Sequence, residues 1–466
     1  MLGLIGIILS LILLIYLAYR GINVLLLAPL LATIAVLFAG GIPVLASYTQ
    51  VFMVSLGKYV AQFFPLFMLG AIFGKLMDDS GSARVIANWI VERVGEQRAI
   101  LAVVLACAIL TYGGVSLFVV AFAVFPISVA LFRHAGVPKR LIPGAIALGS
   151  FTFTMTALPG TPTIQNAIPA PFFGTTAFAA PGLGIIAAVI MFGGGMAWLG
   201  FRAARARAAG EGYGDSTDDP VPVLPADRAA PAGPSFAVAI APIVLVIAAN
   251  YVVANFVLPA LDTSYLAEAK WGATSITAVR GIWAIIVALV AAILLIIVLN
   301  WTYLRDLRRS LNEGTLGSML PIFNTASEVG YGATIASLPA FTLIRDAVLN
   351  VAPGNPVISL AVAVNVLAGI TGSASGGLSI ALQTLGSTYV ELAKEYGISL
   401  ELMHRVATLS SGGFDALPHN GAVITLLGIC GLSHRQSYAD IGMVAVVIPV
   451  AALVVVIILG SMFGGF

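Results

Sequence analysis

The 466-residue sequence contains few charged residues, since Lys, Arg, Asp and Glu make up only 9% of it while 60% of its residues are hydrophobic. Soluble globular proteins contain about 25% charged residues. So little charge excludes an ordinary soluble globular protein. The net charge of +2 also provides no basic surface for nucleic acid, so no nucleic-acid partner is expected.

The sequence has only two cysteines and lacks several motifs of soluble enzymes. Cys107 and Cys430 lie in separate apolar segments, which predicts packing residues and neither a disulfide nor a metal site. No G-x-x-x-x-G-K-[ST] phosphate loop occurs, which argues against ATP-driven transport within this chain, and no H-E-x-x-H or comparable metal constellation occurs. We therefore expect no cofactor, no bound metal and no enzymatic activity, and an ion gradient as the energy source.

Long apolar runs are abundant and recur from Leu2 to the C-terminus. A bilayer core of roughly 30 Å is crossed by about 20 helical residues, whereas barrel strands show about ten residues of alternating polarity. The runs Gly3–Tyr19 and Ile285–Leu299 do not alternate. Arg20 follows the first run, so this run predicts a retained span and not a signal peptide. The predicted fold class is an all-α polytopic membrane protein.

Ten membrane spans are predicted, five on each side of a polar linker at residues 202–234. The first five lie near 2–19, 22–39, 60–76, 138–180 (broken) and 181–201, and the second five near 235–260, 277–300, 315–336, 398–431 (broken) and 437–463. The linker is rich in Ala, Gly, Pro, Asp and Arg, which predicts a solvated cytoplasmic connection. The sequence thus divides into a first repeat at 1–201 and a second at 235–466.

Two further apolar segments, at 98–132 and 355–392, are interrupted midway by small residues at Tyr112–Ser116 and Thr371–Gly377. Glycine favours tight turns over helix interiors, and irregular backbone at membrane depth persists only where protein or water satisfies it. We predict re-entrant hairpins, the first entering from the cytoplasm and the second from outside. With hairpins here, the basic loop residues fall on one, cytoplasmic side, and both termini lie outside.

The two halves resemble each other in sequence. An offset of 259 residues aligns Gly113 with Gly372, Ser116 with Ser375, and Ala157–Pro159 with Ala416–Pro418. Because five crossings is an odd number, the second half would run inverted relative to the first. Inverted repeats with discontinuous helices are typical of secondary transporters, whose sites lie near the bilayer midplane where the breaks meet.

The first break, Thr156–Asn166, contains two prolines and a glycine among hydroxyl and amide side chains. The half-helix that restarts here is expected to point its positive end into the break, which favours a carboxylate ligand. An alternative is that the threonines only cap helix ends. Together with the first hairpin tip, the candidate substrate-binding residues are Gly113, Gly114, Ser116, Thr156, Gly160, Thr161, Thr163 and Asn166.

The second break, Ser410–Gly421, places Asp415 and His419 at membrane depth. Ionisable groups there are costly and often relay protons, so both are proton-coupling candidates, with Glu328 as a third. The alternatives are a structural Asp–His pair, and pairing of Glu328 with Lys58 or a hairpin backbone group. The candidate substrate-binding residues on this side are Gly372, Ser373, Ser375, Asn420 and Thr425.

Thr156–Asn166, Gly372–Gly377 and Ser410–Leu427, with the span pattern, resemble the gluconate:proton symporter (GntP) family of the wider ion-transporter superfamily. This resemblance covers nearly the whole chain and implies proton symport of a sugar acid or hydroxy acid by an elevator-like mechanism. The first break departs from typical members, and Asp415–Thr425 is closer to the branch for short hydroxy acids such as 3-hydroxybutyrate. We expect a homodimer in the lipid bilayer of a bacterial inner membrane.

Three alternatives stay open. A sodium-coupled carboxylate symporter is the nearest, because serine- and asparagine-rich tips also offer oxygen ligands for a cation. A membrane-embedded enzyme using Asp415, His419 and Ser411 on a lipid-borne substrate is more remote. A passive channel is the third, although broken hairpins from opposite sides favour alternating access.

Overall fold

The computed structural model describes residues 2–20, 22–214, 233–418 and 420–466. These residues form helices joined by turns, and no β-strand occurs among them. The all-α fold class predicted from the apolar runs is therefore confirmed. Residues 215–232 of the predicted linker lie outside the described residues.

The helices of each half overlap the predicted segments, although the helix that contains the third predicted span, at 60–76, begins earlier, at Val44. Those of the first half are Leu2–Tyr19, Val24–Ala39, Val44–Asp79, Ser82–Val94, Ala99–Tyr112, Leu117–His134, Ile142–Ser150, Phe153–Thr156, Ile164–Ala167, Ala170–Phe173 and Pro181–Ala208. Those of the second half are Phe236–Ala260, Ile276–Leu299, Leu307–Gly317, Met319–Ala336, Phe341–Leu349, Pro356–Thr371, Ala374–Glu395, Leu400–Ser411, Gly421–Cys430 and His434–Phe463.

Five of these helices are long and apolar enough to cross a membrane unaided: Val44–Asp79, Pro181–Ala208, Phe236–Ala260, Ile276–Leu299 and His434–Phe463. A further pair, Leu307–Ala336 and Phe341–Leu349, is bent by 99° at a short break. The remaining apolar helices are shorter. The protein is thus a multi-pass membrane protein, while the count of ten spans and the sides of the termini stay predictions.

Both predicted interruptions at 112–116 and 371–377 separate two helices that pack against each other. The second tip turns at Gly372, which has a left-handed φ of 63°, and Ser373 then caps the next helix by accepting from the N–H of Gly376 at 3.0 Å. A Cβ on Gly377 would collide with the backbone of Ala368 on the opposite arm. The glycines therefore permit both the turn and the close approach of the arms.

The helices of the two halves interlock. Leu2–Tyr19 and Val24–Ala39 pack on each other and form a separate apolar cluster with Tyr331, Ile335 and Leu338 of the second half. Pro181–Ala208 packs along Ile448–Phe463, and the N–H of Gly182 donates to the C-terminal Phe466 carbonyl at 3.0 Å. The core is therefore continuous across both halves.

One end of the bundle is held by the buried carboxylate of Asp440. It accepts hydrogen bonds from Trp198 Nε1 at 3.0 Å and Arg202 Nε at 2.8 Å, and Arg140 Nη1 lies 3.4 Å away. Arg140 also donates to both carboxylate oxygens of Glu211, at 2.7 and 2.9 Å. These bonds from Arg140 lower the pKa of the Glu211 carboxyl. The start of the linker is thereby tied to the helical core.

A polar crevice of about 870 Å³ lies between the ends of Val44–Asp79, Ser82–Val94 and Leu307–Gly317. Its charged side chains pair with one another: Lys75 Nζ lies 2.9 Å from both Asp79 and Glu313, and Arg309 Nε lies 2.6 Å from Glu313. These contacts join the two halves. The crevice is distinct from the breaks at which the sequence predicts substrate.

Candidate functional site

The first break is an irregular stretch between two short helices, Phe153–Thr156 and Ile164–Ala167. Pro159 and Pro162 lack backbone N–H groups, so the helical ladder cannot continue through them. Gly160 has a φ of +84°, and a Cβ there would lie 2.5 Å from the Phe178 ring. Asn166 Nδ2 then donates to the carbonyls of Thr161 at 3.0 Å and Ala177 at 2.9 Å, which fixes the path of the break.

The helix that restarts after this break is shorter than the sequence suggested. Ile164–Ala167 has four residues, and a second four-residue helix, Ala170–Phe173, follows after Pro169. A helix dipole is the sum of aligned peptide dipoles, so one turn contributes little of it. The expectation that a half-helix aims a strong positive end into the first break is therefore wrong.

The three threonines of the first break differ in their hydrogen bonding. Thr156 Oγ1 donates to the Thr152 carbonyl at 3.2 Å, and Thr163 Oγ1 to the Met155 carbonyl at 2.8 Å. These two hydroxyls support local structure, as the capping alternative proposed. The hydroxyl of Thr161 is completely buried and has no hydrogen-bond partner among the described residues. Among the three threonines of the break, Thr161 is therefore the one whose hydroxyl has no partner among the described residues.

The first hairpin tip sits directly on the first break. Tyr112 Oη donates to the Pro159 carbonyl at 2.7 Å. Gly114 has a φ of +93°, and a Cβ there would lie 2.8 Å from the Pro162 ring. A Cβ on Gly113 would lie 2.6 Å from the side chain of Ile243. Ser116, by contrast, is exposed. The structure thus brings the first tip and the first break together.

The second break is organised by Asn420. Its Oδ1 caps the helix Gly421–Cys430 by accepting from the N–H groups of Ala422 at 2.6 Å and Val423 at 3.1 Å. Its Nδ2 donates to the Gly372 carbonyl at 2.6 Å and to Asp415 Oδ1 at 2.7 Å. One side chain thereby joins the second break to the second hairpin tip.

Asp415 and Glu328 approach the second tip from different helices. Asp415 is partly buried, and its Oδ1 accepts from Asn420 Nδ2 at the second tip. Glu328 is 3% exposed, its Oε2 has no hydrogen-bond partner among the described residues, and a Cβ on Gly376 would collide with that oxygen. Thr325, one turn before Glu328, has its Oγ1 3.3 Å from Ser375 Oγ. We call Thr325, Glu328, Ser373, Ser375, Asp415 and Asn420 the second-tip cluster.

The structure shows neither of the two structural pairings considered for Glu328, with Lys58 or with a hairpin backbone group, among the described residues. Lys58 is exposed, and among the described residues it forms no ion pair with Glu328. The carboxylate instead faces the helical N-terminus that begins at Ser373. Of the other predicted residues on this side, Thr425 is partly buried further along Gly421–Cys430, and His419 lies outside the described residues.

The two breaks contact each other through glycines that follow Leu400–Ser411. A Cβ on Gly412 would lie 2.9 Å from Cγ2 of Thr156, and one on Gly413 would collide with Oδ1 of Asn365. That Oδ1 is buried and has no hydrogen-bond partner among the described residues. The first break, the second break and the second hairpin therefore meet at this point.

The sequence interpretation missed a buried basic pair on Leu400–Ser411. His404 and Arg405 are each 0% exposed. His404 Nδ1 lies 2.6 Å from Thr175 Oγ1. Arg405 donates to the carbonyls of Ala179 at 2.7 Å and Thr156 at 3.2 Å, and its Nη1 lies 3.4 Å from Asn166 Oδ1. An arginine within a predicted span was the available signal, since ionisable residues at membrane depth are usually functional.

Comparison with known proteins supports a transport role for this arrangement. No family profile matches the chain. The chain is 45% identical, over an alignment 471 positions long, to a Bacillus subtilis (strain 168) protein described as the uncharacterized transporter YxjC, and the alignment covers 99% of each chain. Identity of this extent, along the full length of both proteins, places the chain in the same membrane transporter family as YxjC.

Proposed function

We propose that this transporter is a proton-coupled symporter of a small organic anion, either a short hydroxy acid such as 3-hydroxybutyrate or a sugar acid such as gluconate. The observation that carries the proposal is the second-tip cluster, in which Glu328 and Asp415 both approach the same hairpin tip. Two neighbouring carboxylates that are shielded from water repel each other, which favours binding of a proton. The resemblance to proton symporters supports the same assignment.

Movement of the hairpins would couple the two ligands. Glu328 lies on Met319–Ala336, which packs on Val24–Ala39 and Val44–Asp79, whereas Asp415 lies in the break beside the second hairpin. A charged Glu328 would oppose movement of the second hairpin tip into less polar surroundings. Protonation of Glu328 would remove that barrier. Symport then requires that the loaded state moves more readily than either half-loaded state.

An inverted repeat with an elevator-like movement is part of this proposal. Ser82–Val94 and Phe341–Leu349 begin 259 residues apart, and they precede the first and second hairpins respectively. The first arms of the hairpins begin at Ala99 and Pro356, and the second arms at Leu117 and Ala374. The order and spacing of helices in both halves therefore support the repeat inferred from sequence. We propose the bacterial inner membrane as its location and a homodimer as its assembly.

The test is uptake of labelled 3-hydroxybutyrate and of gluconate into proteoliposomes with an imposed inward proton gradient and no sodium. We expect gradient-dependent accumulation of one of them. Asp415→Asn should abolish accumulation driven by the proton gradient, because the amide cannot take up a proton, while exchange of labelled for unlabelled substrate persists. Asp346→Asn, at an exposed surface pair, is the matched control. Unchanged accumulation by Asp415→Asn would show that the coupling residue is misassigned.

A sodium-coupled symporter is the second candidate function. Glu328 Oε2 and Asn365 Oδ1 are buried oxygens without hydrogen-bond partners among the described residues, and both are suitable ligands for a hard cation. Accumulation that begins only when sodium is added would favour this candidate. The membrane-enzyme alternative has less support, because the Ser411 hydroxyl donates to the Thr408 carbonyl at 2.7 Å and is engaged in its own helix.

A further inference from the structure

Arg405 has an unusual set of partners for a buried arginine. Every acceptor it contacts is neutral: the carbonyls of Thr156, Ala177 and Ala179, and Oδ1 of Asn166. Among the described residues no carboxylate lies within ion-pair distance of it. Glu401, one turn earlier, interacts with it electrostatically but is exposed. Arg405 is therefore satisfied in hydrogen bonds, while no carboxylate among the described residues forms an ion pair with it.

This charge lies against the first break. Arg405 holds the Thr156 carbonyl at the start of the break, and its partner Asn166 holds the Thr161 carbonyl in the middle. The buried hydroxyl of Thr161 has no partner in the same segment. A buried cation is costly unless an anion approaches it, and an unpaired buried hydroxyl favours a ligand that accepts a hydrogen bond. A carboxylate satisfies both requirements.

We propose that Arg405 supplies the fixed positive charge by which the first break selects an anionic substrate, and that the Thr161 hydroxyl donates directly to the substrate carboxylate. This inference rests on the proposed function and specifies which end of the site recognises the anion. Arg405 acts as a positioning and charge-selecting residue, because its N–H groups are already engaged by the protein. The carboxylates of the second-tip cluster lie at the second hairpin tip, where they would receive the proton.

The test measures the preference for a carboxylate over its uncharged amide. Purified protein is titrated with 3-hydroxybutyrate and with 3-hydroxybutyramide, and the ratio of the two dissociation constants is compared among variants. Arg405→Gln should reduce the preference by about tenfold or more, because the electrostatic attraction is lost. Arg405→Lys keeps the charge and should retain most of the preference. Thr161→Val should weaken binding of the carboxylate, and Thr161→Ser should restore it.

Two features keep the test decisive. Arg345→Gln, at an exposed pair with Asp346, is the matched control and should not change the ratio. If Arg405→Gln does not fold, the ratio is measured in Thr161→Val, which removes the proposed donor and keeps Arg405 with all of its acceptors. The preference should fall in this variant, because a hydroxyl donates more strongly to a carboxylate than to a neutral amide. A wild-type ratio in folded Arg405→Gln or in Thr161→Val would overturn the inference. If the wild-type protein binds neither compound but transports gluconate, the same titration with gluconate and gluconamide applies, and transport of neither acid would refute the proposed function itself.

Discussion

Replacing Gly377 by alanine tests the second hairpin directly, because at this glycine the backbone of one arm lies close to the backbone of the other. An added Cβ would collide with the Ala368 backbone and lie 2.6 Å from the Leu367 carbonyl carbon, whereas real Cβ contacts are not found below 3.0 Å. The arms would have to separate by at least 0.4 Å at Leu367 and by more at Ala368. Backbone atoms cannot move aside as a flexible side chain can.

Two effects of opposite sign determine the outcome. Alanine is a better helix former than glycine by about 1 kcal/mol, and Gly377 lies inside the helix Ala374–Glu395. Overpacking of a buried site costs about 1–3 kcal/mol, and a collision with backbone belongs at the upper end of that range. We therefore expect a net loss of about 2 kcal/mol in the free energy of unfolding.

The assay is thermal unfolding of the detergent-solubilised protein, with Gly193→Ala as the matched control. Gly193 lies inside the helix Pro181–Ala208, and a Cβ there would meet no atom within 4 Å. Gly377→Ala should lower the unfolding midpoint, and Gly193→Ala should leave it unchanged or raise it. A midpoint for Gly377→Ala at or above that of the wild type would refute the close packing of the hairpin arms.

Three further predictions follow from other contacts. Asp440→Asn should lower the free energy of unfolding by about 2 kcal/mol, because Trp198 and two arginines share the Asp440 carboxylate. Denaturation of the two proteins measures the difference, and equal stability would contradict the prediction. Gly114→Ala should reduce uptake because of its positive φ and the Pro162 ring, whereas Gly136→Ala, also at positive φ but in open space, should not. Arg140 lowers the pKa of the Glu211 carboxyl below its ordinary value of 4.5. The wild type should therefore lose stability relative to Glu211→Gln as the pH falls below 4.5. A difference in unfolding midpoint between the two proteins that does not change with pH would refute this prediction.

Sequence could predict the helices and hairpins because their signals are local. The length of an apolar run predicts a membrane span. The glycines at 113–114 and 372 predict hairpin tips, and the structure places these glycines between helical arms that pack on each other. The length of the restarted helix in the first break was not predictable in the same way. Pro169 follows only a few residues after Pro162, and the fold resolves this stretch as two single turns.

The role of Arg405 could not be predicted because its partners are distant in sequence. Its acceptors Ala179 and Thr156 lie 226 and 249 residues earlier in the chain. The difference in hydrogen bonding between Thr161 and the other two threonines, Thr156 and Thr163, could not be predicted for the same reason. All three are threonines in one short segment, and only the folded backbone determines which hydroxyl finds a carbonyl. Sequence composition predicts that a site is polar, whereas tertiary contacts determine which polar groups remain available.

The charges at the centre of the protein are distributed unequally between two halves of similar design. Glu328, Arg405 and Asp415 all belong to the second half, and the 259-residue offset pairs them with the uncharged Leu69, Ile146 and Thr156. Arg405 nevertheless faces the first break, whereas both carboxylates face the second tip. The first break would thus present a positive charge and the second tip two carboxylates. In the proposed symporter, these sites of opposite charge would serve the anion and the proton respectively.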